Sequence, residues 1–324
     1  MSKKSMSAAI AMAHREEMLR DSSVYVMGLD VGPYGGAFGC TRGLWKEFGR
    51  DRVMDMPIAE AGYVGAAVGA AMTGLRPIAE LQFTDWITIA SDMLVNQAAN
   101  MRYTFGGSLS VPMVLRAPVG GYMAAASQHS HMFESWFSFV PGLKVVIPSN
   151  PADAKGLLKS SIRDNNPVLF FEHKKLYDIP GEVSDDPEAL VPLGKANVVR
   201  KGSDVTIVTY AYMVNFALQA ADILEKDGIH AEIIDLRTIK PMDTETIVDS
   251  VKKTNRLCCL QETWLTCSVA SQVAAVVAEE ALEDLDAPIR RIGALDAPNP
   301  FSLKLEEYIL PSVDRIVREI RSMF

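Results

Sequence analysis

The chain of 324 residues predicts an α/β protein with two domains. Three observations carry that reading. Short, mostly apolar runs, such as 143–147 and 205–210, suit strands buried on both faces of a parallel sheet. Those runs alternate with segments whose apolar residues recur at helical spacing. The alternation then stops at a polar, proline-rich stretch, Tyr177-Asp178-Ile179-Pro180-Gly181-Glu182-Val183-Ser184-Asp185-Asp186-Pro187, and restarts beyond it.

Taken in order, residues 6–20 read as an amphipathic helix that ends before Asp21-Ser22-Ser23, and 24–29 as an apolar strand. The loop Asp30-Val31-Gly32-Pro33-Tyr34-Gly35-Gly36 follows. Its glycines lack the spacing of a dinucleotide fingerprint, and no GxxxxGKS or GxxxxGKT loop occurs. Residues 44–48 form a helical turn, and Val53-Met54 begins a strand. That strand leads into Asp55-Met56-Pro57-Ile58-Ala59-Glu60, where Glu60 opens a helix of small apolar residues. Pro57 suits the turn, and a helix N-terminus favours an acid. Gly62, Gly65 and Gly69 give this helix a bare face that another backbone or a flat ligand can approach closely. From these residues alone Glu60 has two readings of equal weight, a helix-start acid beside a packed helix or a functional carboxylate.

The next strand is 77–81. Residues 83–103 read as one long helix, ended by Gly106-Gly107. A strand at 111–116 runs into Arg116-Ala117-Pro118-Val119-Gly120-Gly121, a loop of breakers, in which Arg116 faces a site mouth or partner, or forms a structural salt bridge. A strand at 143–147, a helix at 152–162 after Asn150-Pro151 and a strand at 168–172 complete the first domain. Residues 1–180 are thus expected to form one domain, 181–198 a linker and 199–324 the second domain. In the latter, strands are expected at 205–210, 231–236, 257–262 and 289–292. Helices are expected at 215–227, 244–253, 269–285 and 312–323.

Composition narrows the function classes. A formal charge of −8 argues against a nucleic-acid partner, because phosphate contacts need clustered Lys and Arg. No apolar run is long enough to cross a bilayer, and the N-terminus reads neither as a signal nor as a transit peptide. The four cysteines contain no CxxC pair, which points away from a disulfide framework or zinc site and towards a reducing cytoplasm.

Several motifs in fixed order add more. They are Tyr34-Gly35-Gly36, Thr41-Arg42-Gly43-Leu44, Arg52-Val53-Met54-Asp55-Met56-Pro57-Ile58-Ala59-Glu60 and Gly74-Leu75-Arg76-Pro77-Ile78-Ala79-Glu80. Gln128-His129-Ser130, Pro141-Gly142-Leu143-Lys144-Val145-Val146, Asp235-Leu236-Arg237-Thr238 and Asp286-Ala287-Pro288-Ile289-Arg290-Arg291 follow. In this order they resemble the β subunit of the thiamine-diphosphate-dependent E1 component of 2-oxo acid dehydrogenase complexes, over essentially the whole chain. Pyruvate, branched-chain and acetoin dehydrogenases are the relevant members, with a leaning to acetoin.

The resemblance implies two transketolase-like domains, a pyrimidine-binding domain with a parallel sheet and then a transketolase C-terminal domain. It implies that Glu60 pairs with N1′ of the thiamine diphosphate aminopyrimidine, in an apolar cradle that raises its pKa. Gln82 and Trp86 become cofactor-binding positions, Trp86 as the aromatic against the pyrimidine. His129 becomes the catalytic histidine, suited to proton exchange near neutrality; two histidines in a polar loop are otherwise more often plain surface or core residues. Main-chain oxygens of Met113, Ser161, Ile162, Asp164 and Asn166 become ligands of a potassium ion.

No Gly-Asp-Gly occurs in the chain, so the resemblance assigns the diphosphate and Mg²⁺ to a separate E1 α subunit in an α2β2 heterotetramer. It also implies docking to a lipoyl acyltransferase E2 core. The expected activity is decarboxylation of a 2-oxo acid, or cleavage of acetoin, with transfer of the acyl or hydroxyalkyl unit to lipoamide, active only with the α subunit. A subunit of a split transketolase and a non-catalytic scaffold subunit are the alternatives. One departure stands out: Leu29 replaces the family's usual Glu, so a proton path through that position is in doubt.

Overall fold

Apolar runs without alternation need cover on both faces. In the computed structural model, which describes residues 1–324, they form the centre of each of two units. The first unit comprises Met1–Val119 and Trp136–Leu193; the second comprises Gly120–Ser135 and Gly194–Phe324.

The first unit opens with β1 (Ser2–Ser5), α1 (Met6–Arg20) and β2 (Val24–Gly28), followed by α2 (Leu44–Phe48), β3 (Val53–Asp55) and α3 (Glu60–Met72). It continues through β4 (Arg76–Glu80), α4 (Ala99–Thr104) and β5 (Val114–Val119). After α5 (Glu134–Ser138), where the boundary between units falls, come β6 (Lys144–Val146), α6 (Pro151–Arg163), β7 (Val168–His173) and β8 (Pro180–Val183). Within this unit the strands lie in the order β6–β7–β5–β4–β2–β3, each pair parallel. Asn150 caps α6 by accepting from Asp153 N at 2.9 Å, with Pro151 behind it in the first turn.

One expectation fails in this unit, for physical reasons. The segment 83–103 is not one helix but a 3-10 turn (Thr84–Thr88), a π-helical stretch (Met93–Ala98) and α4. β-Branched Thr84, Ile87, Thr88 and Ile89 lose rotamer freedom in an α-helix. Thr88 Oγ1 and Ser91 Oγ also donate to the carbonyls of Asp85 (3.0 Å) and Ile87 (2.9 Å), competing with regular helical bonds.

The residues expected as a linker are held against this unit up to residue 193. β8 pairs antiparallel with β1. Lys155 Nζ donates to Ser184 O at 2.7 Å, Lys159 Nζ to Pro187 O, and Ser160 Oγ to Val191 O at 2.6 Å. The same two lysines pair with Glu16 of α1 at 2.7 Å each, so α1, α6 and the connector form one charged seam.

The second unit holds β9 (Asn197–Arg200), β10 (Val205–Thr209), α7 (Met213–Leu224), β11 (Ala231–Asp235), β12 (Thr238–Lys240) and α8 (Thr244–Thr254). After them come β13 (Leu257–Trp264), α9 (Val269–Glu280), β14 (Arg290–Ala294), α10 (Leu303–Ile309) and α11 (Val313–Arg321). Its sheet runs β14–β13–β10–β11–β9, parallel except for the edge strand β9. Ala217, Ala221 and Leu224 of α7 pack with Ile316 and Ile320 of α11 over Ile207 and Ile233. The helix expected at 269–285 ends at Glu280 and gives way to a 3-10 turn, Leu282–Asp284.

All four cysteines are free, Cys40, Cys258 and Cys259 buried and Cys267 exposed. No helix is long and apolar enough to cross a membrane.

Candidate active site

In an open parallel sheet, ligands bind beyond the carboxyl ends of the strands, where the strand order reverses. In the first unit the chain passes from β2 to β3 on one side and to β4 on the other, which puts that point at the ends of β2, β3 and β4. The ends are tied together. Gly32 N donates to Asp55 Oδ1 at 2.6 Å, Met56 N to Gly28 O at 2.8 Å, and Gln82 Nε2 to Asp30 Oδ2 at 3.0 Å. A Cβ on Gly28 would lie 2.5 Å from Glu80 O, so only glycine lets β2 and β4 close here.

Glu60 follows β3 by a short turn and opens α3 at 8% exposure. No side chain caps this helix, so the carboxyl stands in a first turn where the helix dipole favours an anion. Tyr63, one turn on, donates from its hydroxyl to Glu80 O at 3.2 Å. Burial, then the nearby Glu60 and Glu80 carboxyls, push that phenol up. Tyr63, Val64, Ala67, Val68 and Ala71 share the buried side of α3 with Glu60. Gly62, Ala66 and Gly69 are exposed, and a Cβ on Gly69 would meet nothing within 4 Å. Gly65, between them, is half-buried, and a Cβ there would lie 2.9 Å from Met93 Sδ, so one glycine of this face permits a close approach within the chain.

Gln82 and Trp86 are half-buried at the end of β4. The 3-10 turn that carries Trp86 is anchored by Thr84 Oγ1 donating to Pro118 O at 2.7 Å. Leu29, half-buried at the end of β2, brings no acid to this edge. Behind the edge lies a network that sequence reasoning missed. Arg116, 1% exposed, donates from Nε and Nη2 to the two oxygens of Glu172, at 2.6 Å each, and from Nη1 to Glu80 Oε2 at 2.5 Å. Tyr177 OH adds a bond to Glu172 Oε2 at 2.7 Å. Burial pushes the Glu80 carboxyl up while Arg116 opposes it. Of the roles open to Arg116, the structural salt bridge is the one observed. A signal existed: Glu80 and Glu172 each lie at the end of an apolar strand, an expensive place for an acid without a partner.

The loop at the end of α6 is occupied by internal donors. Arg76 Nη1 donates to the carbonyls of Ile162 (2.9 Å) and Asp164 (3.0 Å), Asp164 N to Ser161 O (3.3 Å) and Val168 N to Met113 O (3.0 Å). Each carbonyl keeps a second lone pair. Burial raises the Asp164 carboxyl, but Lys144 and Asn166 hold it below the usual range. No three or more His, Cys, Asp or Glu side chains gather closely enough to hold a metal ion.

His129 belongs to the second unit, in the segment Gly120–Ser135. The partners of this segment come from the second half of the chain. Gly121 N donates to Glu262 Oε1 at 2.6 Å, Ala124 N to Glu306 Oε2 at 2.7 Å and Tyr122 OH to Pro311 O at 2.7 Å. Tyr122 also packs edge-on against Tyr212 and Phe216. His129 is half-buried. The next residue, Ser130, is buried and accepts Asn299 Nδ2 on its carbonyl at 3.1 Å. His131 stacks on Phe133, ring centroids 5.0 Å apart. Glu134 accepts Tyr210 OH at 2.7 Å, and burial pushes its carboxyl up to about 7.

Residues 2–180 match the family model described as transketolase, pyrimidine binding domain, and residues 194–316 that of transketolase, C-terminal domain. The chain is 48% identical to the 2-oxoisovalerate dehydrogenase subunit beta of Bacillus subtilis (strain 168), over 97% of each chain. It is 48% identical to the acetoin:2,6-dichlorophenolindophenol oxidoreductase subunit beta of the same organism, covering 97% of this chain and 95% of the other. The pyruvate dehydrogenase E1 component subunit beta of Rickettsia felis is 46% identical, covering 97% and 96%. Among solved structures, a chain titled split gene transketolase, inactive beta4 tetramer, superposes with a TM-score of 0.79 over 98% of this chain and 97% of that one, at 23% identity, a likeness of fold.

Proposed function

The chain belongs to the family of E1 β subunits built from transketolase pyrimidine-binding and C-terminal domains, and from that premise we propose that it is the β half of a thiamine-diphosphate enzyme. This enzyme decarboxylates a 2-oxo acid or cleaves acetoin and passes the acyl or hydroxyalkyl unit to lipoamide. The observation that carries the reading is Glu60, a buried carboxyl in the first turn of α3 at the carboxyl edge of a parallel sheet.

The residues at that edge fit one half of the cofactor. Glu60 offers a carboxyl to a ring nitrogen, Gln82 an amide, and Trp86 an aromatic face beside them in the chain. Thiamine diphosphate, when bound, supplies a nucleophilic carbon and an electron sink. Glu60 holds or passes a proton at its carboxyl oxygen to N1′, and its buried setting keeps water from competing for that proton. His129 would exchange a proton with the substrate-derived carbonyl, or protonate the sulfur released when the disulfide of an incoming lipoyl group opens.

The diphosphate and metal half does not fit this chain, which has no Gly-Asp-Gly and no cluster of metal-ligating side chains. We assign that half to a separate α subunit holding Mg²⁺, in an α2β2 assembly that docks on an E2 core. The carbonyls of Met113, Ser161, Ile162, Asp164 and Asn166 remain the proposed seat of a potassium ion.

The test is co-expression of both subunits and thiamine-dependent dye reduction with pyruvate, branched-chain 2-oxo acids and acetoin. Glu60→Gln is expected to lower turnover about 10²–10⁴-fold without dissociating the complex. A fully active variant would refute the role of Glu60.

A further inference from the structure

We propose that Glu262 and Glu306 are positioning residues, holding the segment 120–126 in the one backbone shape that presents His129. The inference rests on the proposed catalytic role of His129.

The segment is held against its own preference. Tyr122, Ala124 and Ala126 adopt φ of 62°, 51° and 61°, the left-handed region that disfavours side chains with a Cβ. Three such residues at alternate positions relax to ordinary conformations unless neighbouring groups fix them.

Two of the fixing groups are carboxyls from elements far away in sequence. Glu262 comes from the end of β13, 141 residues from Gly121, and Glu306 from α10, 182 residues from Ala124. They are 3% and 0% exposed, so water does not compete for the backbone N–H groups they accept.

Both carboxyls also converge on Gly121. A Cβ built there would sit 2.9 Å from Glu306 Oε1, 2.9 Å from Leu310 Cδ1 and 3.5 Å from Glu262 Oε1. Glu306 Oε1 is buried and has no hydrogen-bond partner. Half of that carboxyl thus goes unsatisfied while the other half holds Ala124, an arrangement that packing alone does not call for. Beyond the segment, Asn299 grips Ser130 O, so His129 lies between two fixed points.

The test has two arms. In hydrogen exchange on the full chain, Glu306→Gln and Glu262→Gln are expected to speed exchange of the Gly121 and Ala124 amides about tenfold. Gly121→Ala, whose Cβ crowds Glu306 Oε1 at 2.9 Å, should do the same and serves if a glutamine variant folds poorly. In the α–β complex with thiamine diphosphate, Mg²⁺ and a free lipoyl domain, Glu306→Gln should lower kcat for acyl transfer about tenfold. In a His129→Ala background it should then cost nothing further, because a residue acting only through His129 has nothing left to position.

Unchanged exchange in all three variants overturns the proposal, as does a loss that adds in full to that of His129→Ala. A fully active His129→Ala overturns the catalytic reading itself, and with it the positioning role. Unchanged exchange beside an inactive His129→Ala removes the clamp alone.

Discussion

Two groups of buried carboxyls, one in each unit, are held in opposite ways. In the first, Glu80 and Glu172 share one guanidinium, with Tyr177 adding a donor, so charge is met by charge in a rigid fork. In the second, Glu262 and Glu306 accept backbone N–H groups of a loop, and Glu134 accepts a phenol. The first arrangement fastens strand to strand inside a sheet. The second fastens an irregular segment to a sheet end and a helix. Salt bridging stiffens what is already regular, whereas amide-held carboxyls shape what has no regular structure of its own.

The strongest way to break this comparison is to remove the guanidinium. Arg116→Met leaves two buried carboxyls uncompensated and is expected to destabilise the first unit by about 3–5 kcal/mol, read from urea unfolding. A loss under about 1 kcal/mol would mean the fork is not what holds the sheet.

The next test uses pH. The Glu134 carboxyl stands at about 7 in the folded chain against an ordinary 4.5, so the folded state binds more protons than the unfolded state between those values. Stability contributed by Glu134 is therefore present below pH 4.5 and lost as pH rises through 7, about 3 kcal/mol in all. Replacing it by Gln should remove this fall, so the stability difference between wild type and variant should itself fall as the pH of the unfolding curves is raised from 5 to 8. A difference that stays flat across that range would contradict the raised value.

Tyr210→Phe takes one donor from the same carboxyl and should cost about 1–3 kcal/mol by thermal unfolding. Smallest is Arg321→Ala. It removes an exposed pair with Asp227, at 2.6 Å, and should change stability by no more than about 0.5 kcal/mol. If that surface pair matched Arg116 in effect, burial would not be the deciding variable.

Much of the fold is legible because β5, β7 and β10 are rich in apolar residues and buried at every position. β1 is not, since Ser2-Lys3-Lys4-Ser5 carries no apolar pattern and exists only by pairing with β8. The interrupted helix at 83–103 keeps helical spacing, while its hydroxyl bonds depend on local geometry that spacing does not report. At the site, Glu60 is legible from its place before a run of small residues and from its motif. The partners of the His129 segment are not, because Glu262, Glu306 and Asn299 are more than a hundred residues away in the chain and share no motif with it. An acid ending an apolar strand is the one general signal, and it marks Glu80 and Glu172 as buried acids that need partners.

The course of residues 120–135 also bears on inheritance. The chain enters the second unit, returns to the first, and enters the second again. No single breakpoint in the gene can therefore deliver either unit whole. A recombinant that joined residues 194–324 to a foreign first half would leave Glu262, Glu306 and Tyr210 facing a strap they had not been selected with. Lineages that exchange halves at this junction should carry matched changes in the strap and in the end of β13 and α10.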